Sequence, residues 1–192
     1  MANLHFITPQ LATGGDLPWN NEAALRELAE WVELGITHVI DNRIEAEDAD
    51  FIAEHAPQVS YLQNGVDDAG QLMPDGWFDS GLGFAEEALQ DPEAKVLVHC
   101  HMGINRGPSL AFAILLAKGW DPVEALAAIR TVRAIAGISY SEDALGWHHR
   151  RTGIVGASAA EAIQQLRRWH QDNYIDLRRI IAETRDREPQ AS

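Results

Sequence analysis

Apolar residues fall into two spacings along this chain. Short runs, at Phe6-Ile7, 10–13, 37–40, 59–62 and 95–99, predict buried strands. The first pair is closed by Gly14-Gly15. Longer stretches carry apolar residues three and four apart and predict helices. One opens at Asn20 or Asn21, shows Ala24, Leu25, Leu28, Ala29, Trp31, Val32 and Leu34 on its apolar side, and stops at Gly35. A short acidic helix is predicted over 44–55, and another runs from Asp75, as its cap, to about Gln90. Residues 107–119 are strongly apolar. Asp121-Pro122-Val123-Glu124 has the cap, proline and glutamate of a helix start. A further helix opens at Ser139 or Ser141, and 157–185 reads as one long helix or two. Residues 63–74, with Gly65, Gly70 and Pro74, predict a loop.

Strands alternating with helices predict an α/β fold, a central, mainly parallel sheet flanked by helices. The weakest point of the pattern is 153–158. It divides a domain of residues 1–153 from a helical C-terminal extension, 154–192, packed on it or projecting from it.

Composition narrows the classes. The 192 residues are 46% apolar, which fits a globular chain with a real core. No run of about 18 apolar residues is present to span a membrane. The first residues lack the basic and apolar blocks of a signal peptide, so a cytoplasmic location is expected. Net charge is −14, and residues 1–149 carry −16 of it against +2 for the rest. Such a body disfavours nucleic acid or an anionic membrane as partner. A single cysteine, Cys100, allows no internal disulfide. Peroxide is expected to take it to sulfenic acid without an internal cross-link.

Cys100 ends the run 95–99, and Arg106 follows six residues later, before Gly107-Pro108 opens a helix. A strand, a tight loop and a helix N-terminus aim backbone N–H groups at one point. Amides of His101, Met102, Gly103, Ile104 and Asn105, with the Arg106 guanidinium, suit a tetrahedral oxyanion. The same groups would stabilise a Cys100 thiolate. In-line attack on a bound phosphate would give a thiophosphate, later hydrolysed by water. The leaving group needs an acid from another loop, and Asp67 and Asp68 lie in such a loop.

His99-Cys100-x5-Arg106, after an apolar strand and before a helix, resembles the active-site loop of the cysteine-dependent protein phosphatases. The chain is similar to their compact dual-specificity branch, within the protein tyrosine phosphatase superfamily, over roughly residues 5–150. Residues 36–41 resemble the second core strand. Tyr61-Leu62 followed by Asp67-Asp68 resembles the acid loop. The family's acid falls just over thirty residues before the nucleophile, which favours Asp68 over Asp67. The resemblance implies Cys100 as nucleophile, Arg106 as phosphate ligand, His99 as a support of the loop, and no metal or cofactor. It implies phosphotyrosine, and with it phosphoserine and phosphothreonine, on a protein or a small phosphate monoester. The absence of lysine between Cys100 and Arg106 argues against phosphoinositides.

One position departs from that family. Its members carry Ser or Thr directly after the arginine, where this chain has Gly107, and Ser109 comes two residues late. Slow release of phosphate from Cys100 is therefore expected.

Other residues stay open. Arg43, at a strand's carboxyl end, is a candidate substrate contact or a salt bridge. Arg133 lies where relatives keep a second anion-binding arginine, but 134–137 depart from their pattern. His101 either lines the pocket or faces out. Asn105 suits an unusual backbone. His148 and His149 cannot face one way on a helix, so with His170 they make no convincing metal site. Arg167, Arg168, Arg178 and Arg179 read as a solvated face or a contact surface. The rival readings are a rhodanese-like sulfurtransferase and a phosphate-binding module without turnover.

Overall fold

The computed structural model describes residues 2–185. Leu4–Thr8 (β1) and Leu11–Gly14 (β2) form an antiparallel hairpin at one edge of a five-stranded sheet. Asn21–Glu33 (α1) leads to His38–Arg43 (β3), and Ala49–His55 (α2) leads to Ser60–Val66 (β4). Asp75–Ala88 (α3) precedes Val96–His99 (β5), and Arg106–Ala117 (α4) follows it. The strand order is β1-β2-β5-β3-β4, with every pair parallel except the hairpin. Gly14 and Asp41 flank His99 on either side, so the end of β5 sits mid-sheet.

Alternation along the strands builds two cores. Val39 and Leu97 face α1 and α2, with Leu28, Trp31 and Ile52. Ile40, Val96 and Val98 face the other way, onto Phe78, Leu82, Leu110 and Ile114. Helix α4 is buried from Arg106 to Leu116, because sheet and helices enclose it. Around it pack α3, Pro122–Val132 (α5) and Ser141–Thr152 (α6). The Asp121 carboxylate accepts the Val123 and Glu124 N–H groups at 2.8 and 3.1 Å, capping α5 as its sequence predicts.

The C-terminal stretch is two helices, Ala157–Asp172 (α7) and Leu177–Arg185 (α8). Leu166 of α7 is buried in the main core, and Arg130 lies over the Trp169 ring. Leu177 packs on Gly137 so closely that a Cβ there would stand 2.8 Å from it. A cleft of about 370 Å³ remains between α5, α6 and this pair. The residues beyond Arg185 that the sequence reading assigned to the extension lie outside the described chain.

Several boundaries differ from expectation, β3 among them, which runs on to Arg43. Residues 44–48 are not helical, because Glu45 and Asp48 are drawn onto arginines at the sheet's end. Strand β4 runs on to Val66, since Asn64 is buried against Asn42 and the Trp77 carbonyl. Asp75 is the first residue of α3, not its cap, and pairs with Arg150.

Candidate active site

Four loops meet at the carboxyl end of the parallel strands: 15–20, 44–48, 67–74 and 100–105. Cys100 begins the last of them and is 3% exposed. Gly103 has φ of +61°, and a Cβ there would collide with Gly14 and Arg133, so glycine is required.

Four consecutive carbonyls of this loop bond away from its centre. That of His101 accepts the Asp16 N–H at 3.0 Å. Those of Met102 and Gly103 accept from Arg133 at 2.7 and 2.6 Å. That of Ile104 accepts the Gly137 N–H at 2.6 Å. Within a trans peptide, C=O and N–H point in opposite directions. The N–H groups of Met102, Gly103, Ile104 and Asn105 therefore turn to the other side, as a nest for an anion.

Arg106 is held in a fork. Its Nη1 and Nη2 reach the Glu45 carboxylate at 2.7 and 2.6 Å, and Nη1 also donates to the Val66 carbonyl at 2.9 Å. The hydrogen bonds from Arg106 pull the Glu45 carboxyl down to about 2. Arg106 Nε is buried without an acceptor, 3.6 Å from an oxygen of Asp68.

Asp68 is tied to the loop. Its Oδ1 accepts from Asn105 Nδ2 at 2.7 Å and from the Tyr140 hydroxyl at 2.8 Å. Burial, then the bond to Asp68, pushes the Tyr140 phenol up to about 12, so it remains a donor. Asn105 Oδ1 accepts the Ser139 N–H at 2.7 Å. Asp67 is exposed, and its backbone carbonyl takes the Gln71 amide. Of the two aspartates, the structure brings Asp68 to Arg106.

His99 is fully buried beside Trp31, with Nε2 3.7 Å from Asp41 and its carbonyl bonded by Asn42 at 2.9 Å. Burial lowers its pKa, so the ring is neutral. His101 Nδ1 meets Asp16 at 2.8 Å, on the wall of the site.

The two candidate substrate arginines are placed elsewhere. Arg43 is 3% exposed, and its guanidinium is occupied by Asp41, Asp48 and Asp16 at 2.6–2.9 Å. Arg133 is equally buried and holds Met102, Gly103, Asn3 and His5. Both brace the site from within: Arg43 takes the salt-bridge alternative, and Arg133 bonds the loop's own carbonyls in place of a substrate contact. The Ser109 hydroxyl accepts the Tyr140 N–H at 3.3 Å and donates to Asn105 Oδ1 at 3.5 Å.

Ligand atoms of Asp41, Asp48 and His99 lie within 4.8 Å of one another, as a metal site would require. Arg43 Nη2 stands 2.6 Å from both carboxylates and supplies the positive charge there. Glu45, Asn42, Asp16 and Tyr140 are the site residues that sequence reasoning missed. Glu45 was hidden in an expected helix, and the others reach the site through partners far along the chain.

The family model described as "Dual specificity phosphatase, catalytic domain" matches residues 20–144. The chain is 30% identical over 115 residues to dual specificity protein phosphatase 13B of Homo sapiens, covering 58% of each. It is 28% identical over 130 residues to dual specificity protein phosphatase 26 of Rattus norvegicus, covering 67% of this chain and 59% of that one. The chain thus spans under two thirds of the length of either relative. Among solved structures it is similar to PTPMT1 in complex with PI(5)P, with a TM-score of 0.63 and 21% identity over 79% of this chain and 97% of that one. Human DUSP28 matches with a TM-score of 0.64 and 16% identity, over 79% and 97%.

Proposed function

The chain belongs to the dual-specificity phosphatase catalytic-domain family, and from that premise we propose that it hydrolyses phosphate monoesters through a phosphocysteine at Cys100. Phosphotyrosine is the first substrate class, with phosphoserine and phosphothreonine beside it. The observation that carries this reading is the outward bonding of the four carbonyls from His101 to Ile104, which leaves a row of N–H groups for three phosphate oxygens. Arg106 Nε adds a buried donor without a protein acceptor.

The thiolate of Cys100 attacks phosphorus in line. The S–P bond forms as the P–O bond to the leaving group breaks, and Asp68 supplies the proton to the departing oxygen. Water then attacks the phosphocysteine, with Asp68 taking a proton back, and releases phosphate and thiolate. The helix α4 N-terminus, the loop amides and Arg106 meet the equatorial charge. Sulfur transfer needs no general acid, so the tethering of Asp68 favours hydrolysis. A phosphate-binding module without turnover is the second reading, and Gly107 is the residue that favours it.

Hydrolysis of an aryl phosphate, blocked by vanadate, is the expected result. Cys100→Ser should abolish it, and acid quench of the wild type should trap one phosphate per chain on Cys100. Stoichiometric binding with no trapped phosphocysteine would instead establish the binding module.

A further inference from the structure

The mouth of this site is acidic and apolar at once. Its four loops hold six carboxylates, Asp16, Glu45, Glu47, Asp48, Asp67 and Asp68, and no lysine or arginine. With Asp41 beneath them, and Arg43, Arg106 and Arg133 as the cations of the same cluster, carboxylates outnumber guanidinium groups seven to three. The three arginines are at most 5% exposed, while Glu47, Asp67 and Asp68 are on the surface. A dianionic phosphate must therefore cross a negative collar to reach a small positive well.

Three large apolar side chains stand out from the same collar, each on a different loop. Trp19 is 76% exposed, Ile44 60% and Leu72 85%. The first follows the segment in which Asp16 binds Arg43 and His101; the second directly follows Arg43 and precedes Glu45; the third lies four residues beyond Asp68. Exposed apolar residues gathered round a site mark a contact surface.

We infer that the substrate is a phosphorylated polypeptide segment whose phosphoresidue is flanked by lysine or arginine and by apolar side chains. This rests on the phosphatase reading and specifies its substrate. Cationic flanks are attracted by the collar that repels a bare phosphate, and the field focused by a cleft steers association. Apolar flanks cover Trp19, Ile44 and Leu72. Anchors on three loops set around Cys100 suit an extended chain running across the mouth more than one small molecule within it. An anionic lipid surface meets the same repulsion as a bare phosphate.

The test compares phosphotyrosine peptides of one length, with Lys-Leu or with Glu-Ser on both flanks, against an aryl phosphate. For the wild type, kcat/KM for the Lys-Leu peptide should exceed that for the Glu-Ser peptide by about tenfold or more at low salt, and the ratio should shrink as salt screens the collar. Glu47→Lys should narrow the ratio, and Trp19→Ser should lower kcat/KM for the Lys-Leu peptide, with kcat for the aryl phosphate unchanged in both. Binding of the same peptides to Cys100→Ser, followed by fluorescence anisotropy, reads the preference without turnover. Equal affinities there, or a preference for Glu-Ser, overturn the inference even if the aryl phosphate is hydrolysed. Faster hydrolysis of a phosphoinositide in anionic vesicles than of the Lys-Leu peptide also overturns it. A preference in Cys100→Ser with no hydrolysis by the wild type would support the collar and sink the phosphatase reading alone.

Discussion

Asn105 holds Asp68 through Nδ2 and takes the Ser139 N–H on Oδ1, so one amide joins the loop, the acid and the segment after α5. Its donor and acceptor ends are both used, which an aspartate or a leucine could not reproduce. In the proposed reaction Asn105 is a positioning residue: it sets where the acid stands, not whether phosphate binds. Asn105→Ala should lower kcat about tenfold, within the worth of general acid catalysis. KM should hardly change. The loss in kcat/KM, which reports formation of the phosphocysteine and not its slow breakdown, should be larger for an alkyl than for a nitrophenyl leaving group, because the poorer leaving group depends more on the proton. A loss independent of leaving group would mean that Asn105 supports only the loop.

At the scale of elements, the close approach of α4 to β5 bears on the last step of the proposed reaction. A Cβ on Gly107 would lie 3.0 Å from the Val98 carbonyl oxygen and 3.1 Å from the His99 carbonyl carbon. Serine at this place offers the hydroxyl that family members use, yet here the helix must shift by a few tenths of an ångström. Gly107→Ser should therefore speed breakdown of the phosphocysteine in single-turnover measurements. It should also destabilise the fold by about 1–3 kcal/mol through overpacking, or roughly 3–9 °C in Tm. An unchanged breakdown rate would remove Gly107 as the cause of slow release. The α4 segment was readable from its apolar run because enclosed helices are apolar on all sides. The 44–48 segment was not, because its acidic residues look helical until Arg106 and Arg43 are beside them.

For the whole molecule, protons and stability are linked through the histidines. Six of the eight, His5, His38, His99, His148, His149 and His170, have pKa values lowered chiefly by burial. Each stays neutral in the native state at a pH where the unfolded chain, titrating near 6.5, already binds a proton. The unfolded state then holds more protons, so stability rises with pH. Their contribution is complete above about pH 6.5 and is lost as pH falls through the lower native values. Calorimetric scans should show Tm dropping from pH 7.5 to 5.5, before relief of carboxylate repulsion nearer pH 4 begins to act against it. A Tm flat over that range would show that these rings are solvated in the native state.

What the sequence determined by itself is local. Periods of two and of three to four residues set the alternation of strands and helices. Six residues from Cys100 to Arg106 set a tight loop between one strand and one helix, and that pattern carried the family. These follow from neighbours in the chain, whose geometry is common to any fold that contains them. Tertiary structure decided which charges meet. Glu45 reaches Arg106 across 61 residues, Asp16 reaches His101 across 85, and Asn105 reaches Asp68 across 37. Arg133 became an internal brace for the same reason, and Arg43 adds the distant Asp16 to its chain neighbours Asp41 and Asp48. A guanidinium goes to whichever acceptors the closed sheet places within about 3 Å, and that placement is a property of the packed chain, absent from any single stretch of it.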